Sequence, residues 1–135
     1  SIHVPLLQND TLFVRAETHA TNSLVDALTR DGTYQIASAE SADAILKGNI
    51  TRLDYGQVSS IRSDSLRSEE LSLTVYINWS LTDTSSRSRT LVRGSSTGRS
   101  TFFARGNLNT ARTNALPDAL QRACDSITSR LADGF

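Results

Sequence analysis

The alternation of apolar and polar residues between positions 71 and 81 is the clearest pattern in the chain. Every second residue there is large and apolar, and the residues between them are mostly polar: Leu71, Leu73, Val75, Ile77, Trp79 and Leu81. A period of two is typical of an antiparallel strand with one buried and one solvated face. Trp79 falls in the buried register, so we interpret it as a packing residue.

Long strands are also predicted on either side of this segment. One runs from about residue 44 to 58, and its apolar positions change phase between Ile50 and Leu53, which indicates a β-bulge. The other runs from about Thr90 to Ala104, with Gly, Ser and apolar residues at even positions. Its odd face is predicted to carry four arginines: Arg87, Arg89, Arg93 and Arg99. Shorter strand-like pieces lie at residues 2–7 and 33–38.

Helical spacing of apolar residues occurs at 13–30 and at 108–131. Gly32 supplies the left-handed residue that commonly follows a helix. Pro117 predicts either a kink or a helix that begins late. The fold class is therefore α+β. We predict a two-layer sandwich with two helices on one face of a mostly antiparallel four-stranded sheet, in the order β-α-β-β-β-α. At 135 residues the chain is most simply a single domain, residues 1–135.

Composition predicts a soluble globular chain, with 14 basic and 14 acidic residues and a mean hydropathy of -0.28. Lys47 is the single lysine, which leaves thirteen arginines among the 14 basic residues. The guanidinium group of arginine can bind two oxygens of a phosphate or carboxylate at once, so the excess of arginine over lysine favours anionic partners. A GC-rich genome produces the same excess. Any signal peptide has been removed or was never present, so export is neither shown nor excluded.

Catalytic and metal chemistry find little support in the sequence. "GSSTG" at residues 94–98 matches the serine-hydrolase elbow, but its flanks continue as a strand, and His3 and His19 lie upstream rather than downstream. No metal-spaced cluster and no carboxylate pair stands out, so we expect no enzyme, no metal and no cofactor. Cys124 is interpreted as a small buried side chain.

The arginine-rich stretch at residues 87–112 contains six arginines and no acid. Three interpretations remain open. In the first, the arginines are the solvated face of a strand. In the second, they bind nucleic acid. In the third, they bind a specific anionic partner, either a phosphorylated amphiphile or an acidic protein surface. A pI of 6.7 and an aromatic content of 6% disfavour nucleic acid.

Two long segments, "IHVPLLQNDTLFVRAETHATNSLVDALTRDGTYQIA" and "SADAILKGNITRLDY", carry a family resemblance together with the order of the elements after them. On these grounds nearly the whole chain resembles the LptE family of lipopolysaccharide-assembly lipoproteins. It implies a small α/β sandwich held to the periplasmic face of the outer membrane by an N-terminal lipid. It also implies a non-catalytic plug of the LptD β-barrel, which helps that barrel assemble and helps lipopolysaccharide insert into the outer leaflet.

The resemblance also implies which arginines act. Arg62, with Arg67 nearby in "SSIRSDSLRSEE", and Arg112 would engage phosphates of lipid A or the inner core. The four arginines at 87, 89, 93 and 99 would line a face that meets the barrel or the ligand. The lipid-bearing cysteine of the family is absent from this sequence, and Cys124 lies too deep in the C-terminal segment to replace it.

A rival resemblance exists to periplasmic lipoproteins that activate penicillin-binding proteins and to curli-secretion subunits. The segments "VPLLQNDT" and "ADAILKGNI" also fit those proteins. A third hypothesis is a periplasmic adaptor without a ligand. It predicts that single arginine substitutions have little effect.

Overall fold

A computed structural model describes residues 1–57, 69–85, 87–104 and 108–134. Its elements follow the chain in this order: β1 (Ile2–His3), β2 (Gln8–Asn9), α1 (Ala16–Asp31), β3 (Ala44–Gln57), β4 (Glu69–Asp83), β5 (Thr90–Ala104) and α2 (Leu108–Ala132). The predicted α+β class, with two helices against a mostly antiparallel sheet, is confirmed.

The sheet has five strands in the described residues rather than the predicted four. The reason is that the first strand is divided into β1 and β2, two residues each, and both pair in parallel with β3. β3, β4 and β5 form an antiparallel meander, so that Val75 of β4 lies between Leu53 and Gly98. The register of β3 shifts between Ile50 and Arg52, which confirms the predicted bulge.

The piece at residues 33–38 forms only an isolated bridge, between Ile36 and Ile2. The amide of Ile2 donates to the carbonyl of Gln35 at 2.7 Å, and the amide of Ala37 donates to the carbonyl of Ile2 at 2.9 Å. This segment therefore supports β1 from outside without becoming a strand of its own.

α1 begins later than the apolar spacing predicts, whereas α2 begins where that spacing begins. α1 starts at Ala16 rather than Phe13, because Arg15 before it has a left-handed backbone with φ of 70°. Its end is as predicted, since Gly32 has φ of 78° and its amide donates to the carbonyl of Leu28. α2 already begins at Leu108, so the late start at Pro117 is wrong and the proline lies inside the helix.

The core lies between the two helices and the face of the sheet that they cover. β4 contributes a continuous buried row: Leu73, Val75, Ile77, Trp79 and Leu81. The helices contribute residues such as Leu24, Leu28, Leu120 and Ile127. Full burial of one such side chain is worth about 1.5–3 kcal/mol. Trp79 is 3% exposed, which confirms its packing role.

Candidate functional site

Arg112 and Tyr55 form an arginine–aromatic pair where α2 begins. The Arg112 guanidinium carbon lies 4.3 Å from the centre of the Tyr55 ring, close enough for a cation–π interaction. Nε of Arg112 is buried and has no hydrogen-bond partner in the described residues. The aromatic ring, rather than an acid, therefore holds this cation in place.

Two long elements bring this pair together. β3 carries Tyr55 past its bulge to within two residues of the strand's end, and Arg112 lies five residues into α2. Burial raises the pKa of the Tyr55 hydroxyl, and the positive charge of Arg112 partly opposes that shift. The first turn of α2 contains no acidic residue, so nothing there offsets the positive end of the helix dipole.

Arg62 and Arg67 lie outside the described residues, so their roles stay predictions. The strands before and after their segment are described. β3 ends at Gln57, which pairs with Leu71 of β4, and Tyr55 pairs with Leu73 beside it.

A loop that sequence reasoning missed forms a groove beside Tyr55. The groove has a volume of about 530 Å³, and its apolar lining consists of Leu12, Phe13, Val14, Leu53 and Tyr55. Leu12 is 100% exposed and Val14 is 83% exposed. The sequence held a signal, because Leu12 and Val14 flank Phe13 with a period of two, but the helical spacing that starts at Phe13 concealed it.

The arginines at 93 and 99 lie where the sequence predicts them, on the odd, exposed face of β5. The placement of Arg87 and Arg89 on that strand is wrong, because both precede Thr90. The chain is still turning there, since the backbone amide of Arg89 donates a hydrogen bond to the carboxylate of Asp83 at 2.9 Å. Among the described residues, no acidic side chain forms an ion pair with the guanidinium group of any of these four arginines.

The open face of the sheet, which is the face away from the helices, is mostly polar apart from Leu91 and Phe103, and charged rows cross it. One row runs Lys47, Ser80, Arg93, and another runs Asp54, Thr74, Arg99. Arg52 adds a further cation, which lies 4.1 Å above the Tyr76 ring and 3.1 Å from the carboxylate of Asp54. Basic residues therefore outnumber acidic ones across the middle of this face.

The serine motif at 94–98 lies within β5 and not at a turn from strand to helix. The Ser96 hydroxyl accepts a hydrogen bond from the Trp79 indole at 3.1 Å, so the serine is occupied in packing.

Cys124 is buried, as predicted, and burial raises the pKa of its thiol to about 12. In the described part of the chain no cluster of His, Cys, Asp and Glu could hold a metal ion.

The comparison with known families decides between the two resemblances. The family model LptE, described as lipopolysaccharide-assembly, matches residues 1–131. The chain belongs to the LptE family. It is therefore assigned to lipopolysaccharide assembly, within a family of outer-membrane lipoproteins that act in transport without catalysis.

A sequence search of curated proteins gives no match. No helix in the described ranges combines the length and apolarity needed to cross a bilayer.

Solved structures share the fold at low sequence identity. A hypothetical protein, CT253, from Chlamydia trachomatis has a TM-score of 0.66 and 8% identity, covering 97% of this chain and 94% of that one. A minor lipoprotein from Acinetobacter baumannii has a TM-score of 0.62 and 10% identity, covering 98% and 92%. Rare lipoprotein B from Shewanella oneidensis has a TM-score of 0.60 and 10% identity, covering 97% and 94%. At these identities the likeness shows the fold alone.

Proposed function

We propose that this LptE-family protein binds lipopolysaccharide through a phosphate site at Arg112 and plugs and helps assemble an LptD-like β-barrel. The observation that carries the proposal is the Arg112 guanidinium, stacked on Tyr55 with no acidic partner in the described residues. Arg62 and Arg67 are included as further phosphate ligands on the family resemblance.

The surroundings of Arg112 favour an anion. A guanidinium offers a planar set of donors that matches two oxygens of a phosphate at once. Stacking on Tyr55 restricts the side chain before the ligand arrives, so less conformational entropy is lost on binding. The N-terminal end of α2, with no acid in its first turn, adds a favourable potential.

The open face of the sheet is the surface we assign to the barrel. No element of the described chain covers it, and its side chains are mostly hydroxyl, amide and basic groups. Arg93 and Arg99 project from this face, and Arg87 and Arg89 lie in the turn beside it. Exposed cations of this kind guide a protein onto an acidic surface more than they tighten the final complex.

We also propose that a lipid on the N-terminal side holds the protein at the periplasmic face of the outer membrane. The backbone nitrogen of Ser1 lies 3.0 Å from the Asp43 carboxylate, next to the start of β3. β3 covers about 36 Å between Ala44 and Tyr55 at the usual rise of a strand. An anchor there would keep the phosphate site at the far end of the sheet from its point of attachment.

The test of the phosphate site compares two neutralised arginines of the same helix. Arg112→Gln should weaken lipopolysaccharide binding about tenfold in a pull-down or titration, because it removes a charge-assisted contact. Arg122→Gln is the matched control, since Arg122 lies on the exposed side of α2 and pairs with Asp118 at 3.0 Å. Unchanged binding by the Arg112 variant would contradict the site.

The test of the barrel surface is copurification from outer membranes. A variant with serine at 87, 89, 93 and 99 should recover less of the β-barrel than the unmodified protein, while it still binds lipopolysaccharide. Recovery of a penicillin-binding protein in place of a barrel would favour the rival function.

A further inference from the structure

We infer that the groove between residues 10–14 and β3 holds an acyl chain of the same anionic lipid whose phosphate meets Arg112. This inference rests on the proposed function and adds a second subsite to it. The groove would bind the apolar part of the ligand, and the arginine would bind its charged part.

The side chain of Asn9 makes several hydrogen bonds that organise the loop at residues 9–13. The Asn9 side-chain amide donates to the carbonyl of Phe13 at 2.7 Å and to the carboxylate of Glu17 at 2.9 Å. The side-chain oxygen of Asn9 accepts hydrogen bonds from the backbone amide and the hydroxyl of Thr11. Asp10 is also fixed, since the Asn49 side-chain amide donates to it at 2.8 Å. The loop is therefore organised before any ligand binds.

This organised loop places two apolar side chains in water. Leu12 and Val14 project outward, whereas Phe13 between them packs against the core. A ligand that covers both side chains would remove their apolar surface from water, which is favourable. Adjacent apolar side chains on a fixed loop, beside a groove, are typical of a binding surface rather than of scattered surface residues.

Tyr55 joins the groove to the phosphate site. It lines the groove, and its ring also carries the Arg112 guanidinium at 4.3 Å. A ligand that contacts both subsites therefore needs an apolar chain directly joined to a negative group. That is the chemistry of an acylated and phosphorylated lipid.

Two arginines near the groove are available to the negative group of an amphiphile. The nearby acids are already engaged: Asp10 with Asn49, Glu17 with Asn9, and Asp54 with Arg52. By contrast, neither Arg15, which directly follows Val14, nor Arg112 has an acidic partner within the described ranges. A negative group on a bound lipid would therefore meet the two guanidinium groups that have no acidic partner there, those of Arg15 and Arg112.

The experiment uses the double variant L12S/V14S, with intact and chemically deacylated lipopolysaccharide as the two probes. The variant should bind intact lipopolysaccharide about 30-fold more weakly, because two apolar contacts are lost. Its affinity for the deacylated form should equal that of the unmodified protein. Arg112→Gln should weaken binding of both forms. Leu6→Ser is the matched control, since Leu6 is 64% exposed and lies outside the groove.

The outcomes separate this inference from the proposed function. If L12S/V14S binds the intact lipid as well as the unmodified protein does, the acyl subsite is wrong, while the Arg112 result still tests the phosphate site. If the unmodified protein binds neither form, the proposed function itself fails. If the double variant loses only copurification with a barrel, the loop is a barrel contact, and the acyl subsite is overturned. Circular dichroism and the melting temperature confirm that each variant is folded.

Discussion

The two faces of β5 differ in the size and the exposure of their side chains. Towards α2 the strand presents small residues, Gly94, Ser96 and Gly98, and they are buried or half-buried. Towards the open face it presents Arg93, Thr97 and Arg99, all exposed. The covered face is selected for how closely a helix can approach it, and the open face for what it offers to solvent or a partner.

Gly98 should give the largest difference between the faces. A side chain there would collide with the backbone of Ala119 and Ala123 in α2, which cannot move aside as a flexible side chain can. Gly98→Val should therefore lose more than about 3 kcal/mol of unfolding free energy or fail to fold. Thr97→Val, one residue away on the open face, should stay within about 0.5 kcal/mol of the original protein. Urea unfolding measures both, and equal losses would contradict the contrast.

Ile77 and Asn78 provide the same comparison on β4. Ile77 is fully buried, so Ile77→Ala should lose about 2–5 kcal/mol through the cavity that it leaves. Asn78 is exposed and accepts a hydrogen bond from the Ser95 hydroxyl at 2.6 Å. Asn78→Ala should cost about 1 kcal/mol or less. Thermal and urea unfolding give both values, and a larger loss for Asn78 would mean that the open face contributes to stability.

A smaller effect is expected from acid, through carboxylates that lie outside the covered face. The Asn9 amide lowers the pKa of Glu17, so the carboxylate of the folded protein holds its charge to a lower pH than in the unfolded chain. Its contribution to stability is present above the ordinary pKa of 4.5 and is lost as the pH falls through the lower folded value.

Glu17→Gln should reduce this loss, as melting temperatures between about pH 6 and pH 3 would show. An unchanged acid slope in the variant would mean that Glu17 does not couple to folding. Asp83, whose pKa is lowered by the Ser85 hydroxyl and the Arg89 amide, then becomes the next carboxylate to replace.

The smallest effect is expected where function is proposed. Replacing Arg93 and Arg99 together by serine should change the unfolding free energy by less than about 0.5 kcal/mol, since both side chains are exposed and unpaired among the described residues. A large loss in urea unfolding would mean that these arginines stabilise the sheet and are not free for a partner.

Local pattern predicted the elements of this fold because burial repeats at short spacing. The alternation in β4, the bulge after Ile50 and the left-handed Gly32 each follow from a few neighbouring residues. The start of α1 was misplaced because Phe13 continues the apolar spacing of the helix. What fixes it outside the helix is the side chain of Asn9, four residues earlier.

The candidate site was less accessible to this reasoning. Arg112 was named only through the family resemblance, and its contact with Tyr55 joins residues 57 positions apart, which no periodicity encodes. The groove likewise combines a loop near residue 12 with a strand near residue 53. Such sites depend on how elements pack against one another, and that information is not local to any segment.

The pairing of β1 and β2 with β3 has a consequence for the order of events in folding. Ser1 meets Asp43 across 42 residues, and the only strand with which the two short strands pair in the described residues is β3, apart from the bridge between Ile2 and Ile36. Contacts of such sequence separation form late, because the intervening chain must be ordered first. We expect the amides of residues 2–9 to become protected from hydrogen exchange after those of β4. The end of the chain nearest the proposed anchor would then be the last part to become fixed and the first to open.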